Sequence, residues 1–217
     1  MIGELLPPSV AWVERFDDET AVSPYAEEEA VIEGAGAERR RSFRTARHCA
    51  RRAMAELGLP PAPVLPGRQG EPRWPDGVVG SITHCAGYRC AALAPATALR
   101  GLGIDAEPHR PVPPRFLRSI SLPQERAALA RLADGDPSIH WGRLLFSAKE
   151  AVYKVWFPLM RCRLGFGEAD IRFSPDGRFT ARLLLPGPVV GERPVGTLHG
   201  RWSVRDGLAL TAIGLEA

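Results

Sequence analysis

With 217 residues the chain is long enough for one large domain or two small ones, and 45% hydrophobic with 24% charged residues is the balance of a folded chain with a core, which excludes disorder and a fibre. Apolar runs such as LLF at 144–146 and LLL at 183–185 fall far short of the roughly 20 residues that span a bilayer, and MIGELLPPSV offers neither a basic nor an apolar leader region, so no membrane partner and a cytoplasmic location are expected. A formal net charge of +3 is too small to point to nucleic acid.

In chain order, SVAWVERF (9–16) alternates like a strand, while PYAEEEAVIE (24–33) and AERRRSFRTARHCARRAMAELG (37–58) carry the helical period, the second closed by Gly58 and Pro60. A Pro/Gly-rich connection (60–77) leads into three short strands at 78–84, 88–94 and 98–107. Beyond the breaker HRPVPP (109–114), helices are predicted at 115–133 and 140–157, the latter stopped by Pro158. Two hairpins follow, one around Pro175-Asp176-Gly177 and one around Asp206-Gly207. Helices followed by antiparallel strands, twice over, predict an α+β protein of two similar lobes, 1–108 and 109–217, each with helices packed on a small antiparallel sheet. The four cysteines show no metal spacing and are expected as small buried hydrophobes.

The chemistry concentrates in four places. Asp105 and Glu107 lie two apart at the end of a strand, so their carboxylates project from one face; such a pair is either solvated or neutralised by a hard divalent cation such as Mg²⁺. On the helix at 140–157, Arg143, Ser147, Glu150 and Lys154 form one polar stripe, and Trp141, Leu145, Ala148, Val152 and Val155 form another face. That stripe is either a solvated surface or a third carboxylate and an ammonium brought to the same metal and phosphate site. Of 28 basic residues only Lys149 and Lys154 are lysines, which suggests a task that a guanidinium does not perform. Third, Arg39, Arg40, Arg41, Arg44, Arg47, Arg51 and Arg52 stud one helix as solvated charge or as a phosphate grip. Fourth, Thr83 and His84 end the strand GSITHC and could donate to an anion.

GSITHCAGY (80–88), GIDAEP (103–108) and FSAKEAVYK (146–154) resemble the three signature blocks of the 4′-phosphopantetheinyl transferases of the Sfp/EntD type. The similarity extends over roughly residues 20–175 and is greatest to the actinobacterial EntD-like enzymes. The resemblance implies a pseudo-twofold pair of lobes with the active site between them; two lobes in one chain could build such a site without a partner subunit, so a monomer is expected. It implies transfer of the phosphopantetheine arm of coenzyme A to a serine of an apo acyl or peptidyl carrier protein, releasing adenosine 3′,5′-bisphosphate. Siderophore, polyketide, nonribosomal peptide and fatty acid assembly all use such carriers.

Position by position, the resemblance implies that Asp105, Glu107 and Glu150 hold Mg²⁺ with the Ala106 carbonyl nearby, and that Glu150 is the general base. Lys154 and Lys149 would neutralise the phosphates, Thr83 and His84 would touch the phosphate chain, and Arg39 and Arg47 would grip the 3′-phosphate. Pro66, Gly67, Arg68 and Gln69 would flank the adenine, with Gln69 standing where relatives commonly carry Lys. Two other functions use the same residues. One is Mg²⁺-dependent hydrolysis of a nucleotide or coenzyme A pyrophosphate. The other is nucleic-acid binding by the Arg helix, disfavoured by its few aromatics and the low net charge.

Overall fold

A computed structural model of the chain describes residues 1–18, 23 and 25–217; residues 20–22, where the resemblance begins, and residue 24, where a helix was expected to start, lie outside them. The order of elements is β1 (Ala11–Arg15), α1 (Ala26–Val31), α2 (Ala37–Glu56), β2 (Val78–Cys85), β3 (Tyr88–Pro95), β4 (Leu99–Pro108), α3 (Pro114–Ile120), α4 (Pro123–Gly135), α5 (Trp141–Met160), β5 (Ala169–Ser174), β6 (Arg178–Leu183), β7 (Val189–Val190), β8 (Arg193–Pro194), β9 (Thr197–Arg205) and β10 (Leu208–Glu216). The fold is α+β, and no helix among the described residues is long and apolar enough to cross a membrane.

Two elements differ from expectation at prolines. The helix expected over 115–133 is two helices, because Ser121 and Leu122 are extended and Pro123 opens α4. A residue before proline is pushed out of the helical region, so the break was encoded in SLP. Conversely, Pro158 does not stop α5 at 157. It lies in the last turn, where it removes only the bond to the Lys154 carbonyl, and the helix runs on to Met160 before Arg161 takes a left-handed φ of 54°.

The sheets are antiparallel: a three-stranded one ordered β1-β3-β2, a five-stranded one ordered β4-β10-β9-β6-β5, and the two-stranded pair β7-β8. β4, expected among the strands of the first half, pairs with β10 along its length and so belongs to the second sheet. Alternation divides each strand between two cores. On β3, Ala91 and Leu93 pack with Cys49, Ala50, Ala53 and Met54 of α2, while Cys90, Ala92 and Ala94 join Ile2 and Leu5 and alternate residues of β4 and β10 in a central cluster. α5 covers the other face of the five-stranded sheet, burying Trp141, Leu145, Ala148, Val152 and Val155 there. Cys49 and Cys90 are buried in these cores, but Cys85 is only half-buried and Cys162 is exposed.

Between the sheets, β2 and β4 run side by side and are stitched by side chains. Ser81 Oγ accepts from the Ile104 amide at 3.1 Å and Thr83 Oγ1 from the Ala106 amide at 3.0 Å. These buried hydroxyls satisfy amides that a backbone ladder would otherwise have to pair.

Candidate active site

The site starts from two glycines. On β4, Leu102, Ile104 and Ala106 turn into the central cluster, and Gly101, Gly103, Asp105 and Glu107 share the opposite face. A Cβ on Gly103 would stand 2.1 Å from the Ala151 carbonyl oxygen, and one on Gly101 would stand 3.0 Å from Val155. Only glycine lets α5 lie this close to the strand. Further along the same contact, Lys154 Nζ donates to the Ile104 carbonyl at 2.9 Å and to Asp105 Oδ1 at 2.8 Å. The helix stripe is therefore not a solvated surface. Ser147 is fully buried, with its hydroxyl 2.8 Å from that of Thr211, the cross-strand neighbour of Asp105.

Three carboxylates meet across this contact. Asp105 is 5% exposed, shares Oδ1 between Lys154 and the Thr83 hydroxyl at 3.3 Å, and leaves a buried Oδ2 with no hydrogen-bond partner. Burial raises the pKa of both Glu107 and Glu150, and the charge of Asp105 adds to the rise in each. Arg143 offsets part of it at Glu107, which it meets at 3.0 Å, and Lys154 offsets part of it at Glu150. Among the described residues no group of three or more His, Cys, Asp or Glu stands arranged to hold a metal ion. Asp105 faces Lys154 and Glu107 faces Arg143. Ala106 has its side chain in the core and its amide on Thr83, so its carbonyl is all it offers to a ligand.

Beside these groups opens a cleft of about 950 Å³ whose walls come from α2, the 68–74 loop, β2, β4 and α5. Arg47, Arg68, Arg73, Arg100, Lys154 and Arg161 line it, against Glu71 and Glu150, so it is built for a polyanion. Arg47 is 7% exposed, its Nε donates to the Val64 carbonyl at 3.1 Å, and its guanidinium lies 3.8 Å over the Phe43 ring. Burial lowers its pKa to about 10, which leaves it charged at neutral pH. His84 reaches the cleft rim; desolvation lowers its pKa, helped by the charges of Lys154, Arg89 and Arg47. A smaller cleft of about 420 Å³, walled by Arg163, Leu164 and Phe166, shares Glu150, Tyr153 and Gln69 with the larger one.

Several expected residues lie elsewhere. Thr83 is buried with its hydroxyl committed to Ala106 and Asp105, so it supports the carboxylate and does not face the cleft. Lys149 lines the smaller cleft and not the larger one, and its ammonium is buried against Glu125 at 3.0 Å and donates to the carbonyls of Phe166 and Ala169. Arg39 is exposed at the start of α2, outside the lining of the large cleft. Pro66 and Gly67 form the base of a loop, through a Pro66–Pro72 bridge and a Gly67 amide bonded to the Glu71 carbonyl at 2.6 Å, and only Arg68 and Gln69 reach the cleft.

The residues that sequence reasoning missed are Arg73, Trp74, Arg100, Tyr153 and Glu28. Glu28 is fully buried and holds the Val64 amide at 2.7 Å and Arg51 at 2.7 Å, which fixes the loop that orients Arg47. Its signal was an acidic triplet in which one member falls on the apolar side of α1.

The family model for the 4′-phosphopantetheinyl transferase N-terminal domain matches residues 27–94, and that for the 4′-phosphopantetheinyl transferase superfamily matches residues 101–198. The chain is 51% identical over 222 residues to 4′-phosphopantetheinyl transferase Svp of Streptomyces mobaraensis, covering 100% of this chain and 90% of the relative. The chain belongs to the 4′-phosphopantetheinyl transferase superfamily. Two more transferases of the same description agree in length as well: PptT of Mycobacterium tuberculosis, 49% identical across 99% of this chain and 98% of its own, and Npt of Nocardia iowensis, 46% identical across 98% and 99%. The join between the two family matches falls at residues 95–100, the turn from β3 into β4. The side-chain stitch from β2 to β4 in this transferase therefore links one matched region to the other.

Proposed function

We propose that this transferase moves the 4′-phosphopantetheine group of coenzyme A to a serine of an apo acyl or peptidyl carrier protein, with Mg²⁺, releasing adenosine 3′,5′-bisphosphate. The observation that carries the reading is the cationic cleft ending at Glu150, a residue shared with a second cleft, so that a polyanion and a nucleophile have separate approaches to one carboxylate. We further read the molecule as two lobes that meet at the β2–β4 stitch, with the site between them; the helix-on-sheet packing of α2 and of α5 supports this.

The donor set suits Mg²⁺, a hard ion that prefers carboxylate and phosphate oxygens. Asp105, with an unpartnered buried oxygen, Glu107 and Glu150 would hold it, with the Ala106 carbonyl adjacent. When bound it supplies charge neutralisation to the pyrophosphate. The serine Oγ attacks the phosphorus that bears the pantetheine arm, Glu150 takes the hydroxyl proton, and the bond to the adenosine-side phosphate oxygen breaks. Lys154 has one N–H beyond its bonds to Ile104 and Asp105 with which to meet that oxygen. Positioning and neutralisation are most of what phosphoryl-type transfer needs.

Mass spectrometry of apo carriers incubated with protein, coenzyme A and Mg²⁺ tests the reading. One phosphopantetheine gained on serine is expected, and coenzyme A cleavage that proceeds equally without carrier would establish a hydrolase instead.

Arg47 is positioned to read the 3′-phosphate by a charge-assisted hydrogen bond, worth about 1.5–3 kcal/mol. Arg47→Ala should weaken coenzyme A accordingly and leave 3′-dephospho-coenzyme A nearly unaffected in a calorimetric titration. Equal losses for the two ligands would reduce Arg47 to a support for the Val64 loop.

The carrier surface we assign to α3. Leu117 and Ile120 pack inward, and Phe116 is left as the apolar anchor, edge-on to Phe146, which in turn meets Phe166 of the small cleft. Arg115 and Arg118 are exposed beside it. Such charges act mainly on association rate. Arg115→Glu with Arg118→Glu should raise KM for an acidic carrier severalfold and flatten its salt dependence, with coenzyme A affinity unchanged; unaltered carrier kinetics would move the docking face elsewhere.

A further inference from the structure

Arg143 lies two turns before Glu150 on α5 and has no part in the mechanism above, yet it occupies one of the three carboxylates. Its Nη1 donates to Glu107 Oε2 at 3.0 Å, and its Nε donates to the Arg110 carbonyl at 3.3 Å, which fixes the guanidinium at the mouth of the β4–α5 contact. Both partners of the ion pair are about one-fifth exposed, so the pair is partly shielded from water. The second carboxylate of the strand pair is likewise matched by a cation, Lys154, at 2.8 Å. Asp105 repels both Glu107 and Glu150, which is unfavourable in a metal-free fold, and two side-chain cations compensate.

We propose that Arg143 is a counter-ion that holds Glu107 in the metal-free protein and must release it before a divalent cation is bound, so that Arg143 sets the metal affinity as a positioning residue. This rests on the metal assignment above. Two ions of like sign cannot share one carboxylate without repulsion, so the guanidinium and the metal compete for Glu107. Glu107 then has two positions, one on Arg143 and one on the metal.

The test is direct metal binding, read by the electron paramagnetic resonance of free Mn²⁺ titrated with the full-length protein and coenzyme A at pH 8, without carrier. Arg143→Gln removes the charge while keeping a donor for the Arg110 carbonyl. It should tighten Mn²⁺ by roughly three- to tenfold, the range expected for losing a half-shielded ion-pair competitor. Removing any nearby cation also raises cation affinity through space, so the decisive comparison is made in a Glu107→Gln background. There the gain from Arg143→Gln should shrink to less than half, because no carboxylate remains to be released. Unchanged or weaker Mn²⁺ binding in Arg143→Gln overturns the proposal, and so does a gain that survives whole in the Glu107→Gln background. If Arg143→Gln is poorly folded by its melting curve, Arg143→Lys, with a less well-matched donor, should show a smaller gain in the same direction, and no gain there counts against the proposal. Failure of the metal assignment itself looks different: the parent protein and its Asp105→Asn variant would then bind Mn²⁺ equally.

Discussion

Glu150→Gln will lower the rate of carrier modification about 10²- to 10⁴-fold while leaving coenzyme A affinity within a factor of a few. The amide keeps the shape of the side chain at the shared edge of the two clefts, but it cannot accept the serine proton. The pH profile supplies a second readout. Burial and the Asp105 charge raise the Glu150 pKa above the ordinary 4.5, so the base begins to be protonated at a higher pH than a free carboxylate. That rise belongs to the metal-free protein, and bound Mg²⁺ would pull the value back down; the wild-type rate falls as pH is lowered through the resulting value, and the limb attributable to Glu150 should vanish in the Gln variant. Single-turnover kinetics at saturating coenzyme A, from pH 5 to pH 8, would show this. A Gln variant with near wild-type turnover would remove Glu150 from the chemistry and leave it as a charge on the cleft wall.

Lys149→Met should destabilise the protein by about 3–5 kcal/mol, the range measured when one member of a buried ion pair is removed. Glu125 is fully buried, holds the amides of Leu122 and Ile171 with its two oxygens, and has the Lys149 ammonium as its cation. Without that ammonium a carboxylate is stranded between α4, α5 and β5. Burial lowers the Lys149 pKa by more than the charge and hydrogen bond of Glu125 raise it. Replacing Glu125 by Gln in the same chain should recover part of the loss, because the amide carries no charge to strand. Urea unfolding of the single and double variants measures both effects. A single-variant loss below about 1 kcal/mol would mean that water reaches Glu125 and that the pair acts as a surface bridge.

The two lysines show what the sequence could and could not tell. Both stood out as the lone ammonium groups in an arginine-rich chain, and the inference that each has a task of its own fits the geometry. Their separate tasks were not readable, because five residues on a helix rotate a side chain well round the axis, and the direction each faces depends on what packs there. Lys154 meets β4; Lys149 meets the segment before β5. Asp105 and Glu107 were legible as one face of a strand, since period-two alternation is local. The bonding of Thr83 was not legible, for the opposite reason: the hydroxyl it presents to Ala106 belongs to a junction between sheets, and no local pattern announces which strand will lie alongside. Arg73, Arg100 and Tyr153 carried no distinguishing signal at all, because the loop and strand that bring them to one cleft are fixed only by the tertiary fold.

The pairing of β4 with β10 also has a consequence for the order of events during synthesis. The strand that carries Asp105 and Glu107 emerges near the middle of translation, but the partner that completes its ladder, with Thr211 opposite Asp105, is the last strand in chain order. Until β10 has left the ribosome, β4 has a side-chain stitch to β2 and an open edge on its other side. Chains grow at about 5–20 residues per second, so that edge is exposed for several seconds while α3 to β9 are made. An exposed strand edge is a template for wrong pairing. Its own composition blunts the hazard, since Gly101 and Gly103 are poor strand formers and Asp105 and Glu107 are charged. The residues that later form the contact between β4 and α5 thus also keep the waiting strand from pairing with another chain.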